Sequence, residues 1–414
     1  MNKEESDLLC QTGPDAPMGQ MMRRYWIPAM LSEELPEPAG APMRVRLLGE
    51  DLVAFRDSAG RVGLLDEPCS HRCTSLAYAR GEEGGLRCIY HGWLYDVEGN
   101  ILETPAEPPQ SMMRHHVKHR AYPVREMGDV IWAYMGPKDK MPIIPVWEWM
   151  QVPAEQRRVN KTFQECNWAQ ALEGDIDSAH SDYLHSSDIR GRPKDHAPRF
   201  ETEDTEYGFR YAAIRMPDAG ADQTQYVRIT LFVAPFFALI PPQRRGVSGW
   251  GGDEYEMVNC HAYVPVDNEN HQYFSFNLNR RGPVGDRSLD AGVLANGYRA
   301  PGNRRNMHLQ DRAAMKDGNW SGVQGIRAQD RVVTEGMGPI TPRWKEHLGT
   351  SDTAVLHFRQ RMLEAVRAFV DGAEPPSLGP RFSKGQLHSD EKVVPVDWPW
   401  QSVLDGEPRE PAAV

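Results

Sequence analysis

Apolar and polar positions follow different rhythms in the two parts of the chain. From about Arg44, short alternating runs break at Gly or Asp: MRVRLLG, LVAFRDSAG and VGLLDEP. Alternation of period two between turn residues predicts small antiparallel strands. The style persists to GDVIWAYMG at 128–136, and residues 16–35 ahead of it mix a short helical stretch with an entry into extended chain. DKMPIIPVWEWMQVP (138–153) is punctuated by proline and predicts a linker. Beyond it the rhythm changes. Residues 165–188 predict helix, and 207–280 return to strands such as YGFRYAAIRMP and QYVRITLFVAPFFALIPP. Val355, Phe358, Met362, Val366 and Phe369 recur at helical spacing within 354–370. The expectation is two domains: an all-β domain over 1–150 and an α+β domain over 151–414, with an antiparallel sheet and helices.

Composition narrows the class. The chain has 414 residues, 40% hydrophobic and 25% charged, as in soluble globular proteins. No apolar run approaches the ~18 residues of a membrane span. The acidic, polar start MNKEESDLLCQTGPDAP has no signal-peptide core, so a cytoplasmic protein is expected. A net charge of −11 and the lack of a basic stripe argue against nucleic acid as a partner. Six cysteines are too few for a disulfide scaffold in such a chain. Paired Cys and His then read as metal ligands.

The pairs occur in CSHRCTSLAYARGEEGGLRCIYHGW, residues 69–93. Cys69 and His71 form C-x-H, and Cys88 and His91 form C-x2-H after sixteen further residues. Two thiolates and two imidazoles suit a tetrahedral structural zinc. They equally suit a Rieske-type [2Fe–2S] cluster, with two Cys on one iron and two His on the other. Each loop supplies one Cys and one His, so each would span both irons. Zinc modules more often pair like with like. Cys73 fits neither pair and is expected to pack as a small thiol. Tyr90 and Trp93 are expected to wall the centre from water.

A second set lies in NWAQALEGDIDSAHSDYLHSS (167–187), where Asp177, His180 and His185 are spaced D-x2-H-x4-H. Two His and one carboxylate on one face of an iron leave positions open for O2 and substrate. Asp177 and His180, three apart, would share a helix face. His180 and His185 stand about 140° apart on an ideal helix. Both reach one metal only if the helix ends or bulges between them.

The runs C-x-H-R and C-x-Y-H-G-W resemble the motif of the Rieske non-haem iron oxygenases. The likeness extends to PMGQMMRRYWIPA, RVRLLGEDLVAFRD, TPAEPPQS and the late GMGPI…HLGTSD run, and it is similar to the phthalate 4,5-dioxygenase branch. It implies an N-terminal Rieske domain and a catalytic domain of the helix-grip (START-like) kind with a mononuclear Fe(II). GIRAQDRVVTEGMGPI (325–340) resembles the branch's Q-D-x4-E-x-M-G-P, which implies Asp330 as third iron ligand, with Glu335, Asp311 and Asp317 as neighbouring alternatives. The resemblance also implies that Asp177 bridges the iron His to a cluster His, here His91, of a neighbouring chain in a head-to-tail homotrimer. Electrons would come from an NAD(P)H-dependent flavin/iron–sulfur reductase, because no G-x-G-x-x-G fingerprint occurs here.

The implied reaction is cis-dihydroxylation of an aromatic carboxylate such as a phthalate, using O2. Oxidative O-dealkylation or ether cleavage of an aryl ether carboxylate is the alternative. A pure Rieske electron-transfer protein and a zinc-stabilised binding protein are rivals from other classes. Alternation places Arg215 with Tyr211 and Ala213, and Arg228 with Tyr226 and Thr230. If the strands pair, both guanidiniums could hold a substrate carboxylate.

Overall fold

In a computed structural model the chain is described over residues 1–189, 197–216, 223–241, 257–284, 297–378 and 387–405. It folds into two compact units. The smaller comprises Thr12–Pro145 and Val264–Asp267, and the larger Met1–Gln11, Val146–Tyr263 and Asn268–Val414. Helices used below are α1 (Lys3–Cys10), α2 (Pro17–Met22), α3 (Trp168–Ile176), α4 (Ile326–Gly336) and α5 (Thr353–Val370). Among the described residues no helix is long and apolar enough to cross a membrane.

The smaller unit is built of short strands, as the broken alternation predicts. They are β1 (Trp26–Leu31), β2 (Met43–Leu47), β3 (Glu50–Arg56), β4 (Val62–Asp66), β5 (Arg80–Glu82) and β6 (Gly85–Arg87). β7 (Leu94–Tyr95), β8 (Ile101–Glu103), β9 (Ala121–Tyr122), β10 (Val124–Met127) and β11 (Val130–Tyr134) follow. They form antiparallel sheets in the orders β1-β11-β10, β2-β3-β4-β9 and β5-β6-β7-β8. Val53, Phe55, Leu65, Leu76, Leu86 and Trp93 make one buried cluster, and Cys69 and Cys88 belong to it. The sheets therefore hold two thiols inside their own core.

The larger unit carries one eight-stranded antiparallel sheet. Its strands are β12 (Arg157–Gln164), β13 (Arg199–Thr205), β14 (Gly208–Arg215), β15 (Thr224–Val233), β16 (Phe237–Ile240), β17 (Met257–Pro265), β18 (His271–Asn279) and β19 (Asp390–Pro395). The order is β12-β18-β17-β16-β15-β14-β13, with β19 pairing with the early half of β15. The buried stripe of α5 packs on the sheet, with Phe358 edge-on to Phe232 at 5.0 Å. Phe369, predicted on that stripe, is half-buried.

Two sequence boundaries move. Residues 1–11, expected in the first domain, belong to the larger unit. There Asn167 donates to the Cys10 carbonyl and Arg343 to Cys10 Sγ. The expected linker holds core: Trp147 and Trp149 are buried and stack at 4.7 Å, against Phe237 and Phe276. Indole area drives this, and the prolines around it govern only the local backbone.

His271, fully buried at the start of β18, donates from Nδ1 to the Cys166 carbonyl at 2.7 Å. Burial pushes its pKa down from 6.5 to about 4. The unfolded chain therefore binds a proton below pH ~6.5 that the folded chain refuses. Stability is expected to fall by about 3 kcal/mol as pH drops from ~6.5 to ~4. Denaturant titrations of wild type and His271→Gln check this. The variant should lose the part of the acid slope due to this residue; an equally steep slope in both rejects the assignment.

Candidate active site

The first candidate centre lies in the smaller unit, on two loops of matching design. Cys73 N–H donates to the Cys69 carbonyl at 2.8 Å, and Gly92 N–H to the Cys88 carbonyl at 3.1 Å. Cys69 N–H reaches the Thr74 carbonyl at 2.9 Å, and Cys88 N–H the Trp93 carbonyl at the same distance. Each loop needs a left-handed residue at its fifth position. Gly92 fills it at φ 75°, and Cys73 fills it in the other loop at φ 57°. Cys73 is exposed. Its place is a backbone one, which glycine takes at less cost.

The thiols of Cys69 and Cys88 are buried, and the imidazoles of His71 and His91 lie half-buried at 4.4 Å between centroids. Burial pushes the Cys88 thiol up, and neighbouring Cys69 adds to this. His71 stacks on Trp93 at 4.9 Å, and its Nδ1 is buried without a hydrogen-bond partner among the described residues. A buried imidazole nitrogen left open beside two buried thiols fits a cluster with mixed ligands. Trp93 is buried and shields this group as expected. Tyr90 is 52% exposed and covers only the His91 face, at 3.9 Å.

Sequence reasoning missed two bracing residues here. Tyr95 Oη lies 3.0 Å from Cys69 Sγ. His119, buried, faces the Asp66 carbonyl with Nε2 and Ser70 Oγ with Nδ1, at 2.9 and 2.7 Å. His119 stands 49 residues from Ser70, and no local spacing marks it.

The second centre lies in the larger unit. Asn167 caps α3 by accepting from Ala169 N–H at 3.0 Å, and Trp168, Leu172 and Ile176 bury its apolar side. Glu173 is buried between the guanidiniums of Arg343 and Arg359, whose charges outweigh burial and keep it ionised below the usual carboxylate range. The helix ends at Ile176, and Asp177 is already extended. Asp177 and His180 therefore do not share a helix face. The Asp177 carboxylate caps the next turn, accepting from Ala179 N–H at 2.7 Å. Residues 180–182 make a single tight turn. The helix thus ends ahead of both histidines, which frees them to converge.

His180 Nε2 lies 3.1 Å from His185 Nε2 and 3.4 Å from Asp330 Oδ1. His185 Nε2 is 2.9 Å from that same oxygen. One ligating atom of each falls within 4.8 Å of the others. Asp330 comes from α4, and His180 Nδ1 faces Asp177 Oδ2 at 3.6 Å. Burial opposes charge on His180, but the Asp177 and Asp330 carboxylates outweigh it and push the pKa up to about 10. Asp330 is held well below the usual carboxylate range despite its partial burial, by both histidines. Two carboxylates flanking one imidazole make a position suited to a cation, and two imidazoles with one carboxylate fit a non-haem iron. Glu335 lies elsewhere: its Oε1 accepts from Glu165 N–H at 3.0 Å and its Oε2 faces His308 at 3.5 Å.

β14 and β15 do pair, with Ala213 opposite Arg228 and Arg215 opposite Tyr226, so both arginines share one sheet face as expected. Each is engaged by an internal carboxylate. Arg215 Nη2 meets Asp182 at 2.7 Å and the Ser178 carbonyl at 3.0 Å, and its Nη1 has no hydrogen-bond partner among the described residues. Arg228 Nη1 meets buried Glu391 at 2.7 Å. Arg215 thereby ties down the turn that carries His180. Changing either residue to Met takes the cation away from its carboxylate, expected to cost up to about 3–5 kcal/mol, less at Glu391, where the Tyr226 hydroxyl still donates at 2.6 Å. Unfolding midpoints check this. A rise in KM with unchanged midpoints would return both residues to a substrate role.

The comparisons agree with this division. Residues 25–127 match the family model described as Rieske [2Fe-2S] domain, and residues 133–410 match LigXa C-terminal domain like. The phthalate 4,5-dioxygenase oxygenase subunit of Pseudomonas putida is 44% identical, over 97% of this chain and 94% of that one. The 3-chlorobenzoate-3,4-dioxygenase oxygenase subunit of Comamonas testosteroni is 35% identical, over 98% of each. Among solved structures, the Pseudomonas putida CBB5 NdmA QL mutant with theobromine shares the fold, with a TM-score of 0.62 at 19% identity over 86% of this chain and 94% of that one. Both family models run in order along one chain, each enclosing one of the two ligand-rich clusters, and the identity to the phthalate 4,5-dioxygenase subunit spans nearly all of it: the chain belongs to the Rieske non-haem iron aromatic oxygenases, as an oxygenase component of the phthalate 4,5-dioxygenase-like branch.

Proposed function

We propose that this chain is the terminal oxygenase of a cytoplasmic system that cis-dihydroxylates an aromatic carboxylate of the phthalate kind. The observation that carries the reading is the convergence of His180, His185 and Asp330 within 4.8 Å. These three would hold the mononuclear iron. Cys69 and Cys88 would hold one iron of the cluster, and His71 and His91 the other. When bound, the cluster supplies single electrons and the mononuclear iron supplies O2 activation.

The chain's own groups do the rest. Asp177 Oδ2 faces His180 Nδ1 across 3.6 Å, a charge contact rather than a hydrogen bond, and in a homotrimer it would accept from His91 of the partner subunit. Trp93 keeps water from His71 and the thiols. Arg215 and Asp182 hold the turn between the two iron histidines in place. The electron source is a separate NAD(P)H-dependent flavin/iron–sulfur reductase. The names of the two relatives, each an oxygenase subunit for an aromatic carboxylate, support the substrate class.

A panel of aromatic acids assayed with a surrogate reductase tests this. Coupled O2 uptake should give a product heavier by two oxygens and two hydrogens. An alcohol or phenol formed together with an aldehyde would establish O-dealkylation instead. Iron quantification should find the cluster iron plus one more per chain. Cluster iron alone, without coupled uptake, would leave an electron carrier.

A further inference from the structure

Gln329 is wholly buried, and its amide is pinned at both ends. Its Oε1 lies 2.6 Å from His185 Nδ1. Its Nε2 donates to Asp188 Oδ2 at 2.7 Å and to the Val323 carbonyl at 2.8 Å. Turning the amide over would set its oxygen against two acceptors and its NH2 against the imidazole. The two acceptors therefore fix which end faces His185. A carbonyl oxygen can only accept, so His185 Nδ1 carries a proton, and Nε2 is the nitrogen left to face a metal. That Nε2 is the atom 2.9 Å from Asp330 Oδ1 and 3.1 Å from His180 Nε2.

Asp188 is tied to the same turn, since its N–H donates to the His185 carbonyl at 2.9 Å. Gln329 precedes Asp330 on α4. One dipeptide thus supplies a candidate ligand and the group that orients another. We infer that Gln329 is a positioning residue for the mononuclear metal site: braced by Asp188, it sets the tautomer and ring plane of His185 so that Nε2 is ready to bind. This rests on the reading that His180, His185 and Asp330 hold a metal.

The test is a Co(II) titration of the purified full-length protein freed of mononuclear iron and with its cluster retained, followed by the visible bands of bound Co(II). Gln329→Met removes the acceptor with little change of shape, and Gln329→Glu, held as the neutral acid by Asp188 and the Val323 carbonyl, keeps an acceptor for His185 and a donor for Asp188. Metal affinity should fall 10–100-fold in Gln329→Met and recover to within a few-fold of wild type in Gln329→Glu, with cluster absorbance retained in both. Wild-type affinity and Co(II) spectrum in Gln329→Met overturn the inference, as does equal loss in both variants. If Gln329→Met does not accumulate, Asp188→Asn is titrated in its place. It removes the charge bracing the amide and should weaken Co(II) binding, and unchanged binding there overturns the inference too. Asp330→Ala is titrated alongside. Unweakened Co(II) binding in that variant would reject the metal site itself, an outcome separate from any result at Gln329.

Discussion

Asp330→Ala is expected to lose one iron per chain and essentially all product formation, while its cluster absorbance stays unchanged. The carboxylate oxygen is the shared neighbour of both imidazoles, at 3.4 and 2.9 Å. Without it, two neutral donors remain and the anionic ligand is gone. Removing a metal that contributes several kcal/mol to the transition state corresponds to a rate loss of about 10³-fold or more. Glu335→Ala is the control, because that carboxylate binds the Glu165 backbone away from the histidines. Iron counts, the visible spectrum and coupled O2 uptake on the two proteins are the measurements. An active Asp330→Ala beside an iron-depleted Glu335→Ala would move the third ligand.

The second large effect is expected at Asp177. Asp177→Asn keeps an oxygen to accept from Ala179 N–H, the bond that shapes the turn at 2.7 Å in the native chain. The charge facing His180 Nδ1 is lost, and charge-assisted bonds are about twice as strong as neutral ones. The variant should keep both metal centres and its assembly, while turnover falls by orders of magnitude. If Asp177 joins neighbouring subunits, two inactive variants should complement each other. Co-expressed Cys88→Ala, without a cluster, and His180→Ala, without mononuclear iron, should regain partial activity in mixed trimers. Verified mixed trimers no more active than either parent would reject the route between subunits.

Cysteine and histidine spacing carried the first centre on its own, because two short turns bring 69, 71, 88 and 91 together with little help from distant chain. The turn chemistry behind it was less visible. Cys73, expected to pack as a small thiol, is exposed and holds the left-handed position that Gly92 holds in the other loop. A residue's φ leaves no mark in one sequence unless glycine is there. In the second centre, D-x2-H-x4-H pointed to side chains that converge, but it assumed the wrong element. The helix stops at Ile176, and the capping Asp177 carboxylate starts a tighter turn.

What the sequence determined by itself was everything set by local pattern: strands from alternation, α5 from its apolar stripe, and the pairing of two Cys with two His from their spacing. Membership of the family followed from runs of residues and from the two matched models. Tertiary structure decided what depends on partners far along the chain. It placed residues 1–11 in the larger unit and turned an expected linker into a tryptophan core. It gave Arg215 to Asp182 and Arg228 to Glu391, 33 and 163 residues away. It also brought Gln329 across 144 residues to His185. Periodicity reports which way a side chain points, and a buried charge or amide is satisfied by whichever partner the fold delivers, which no local pattern encodes.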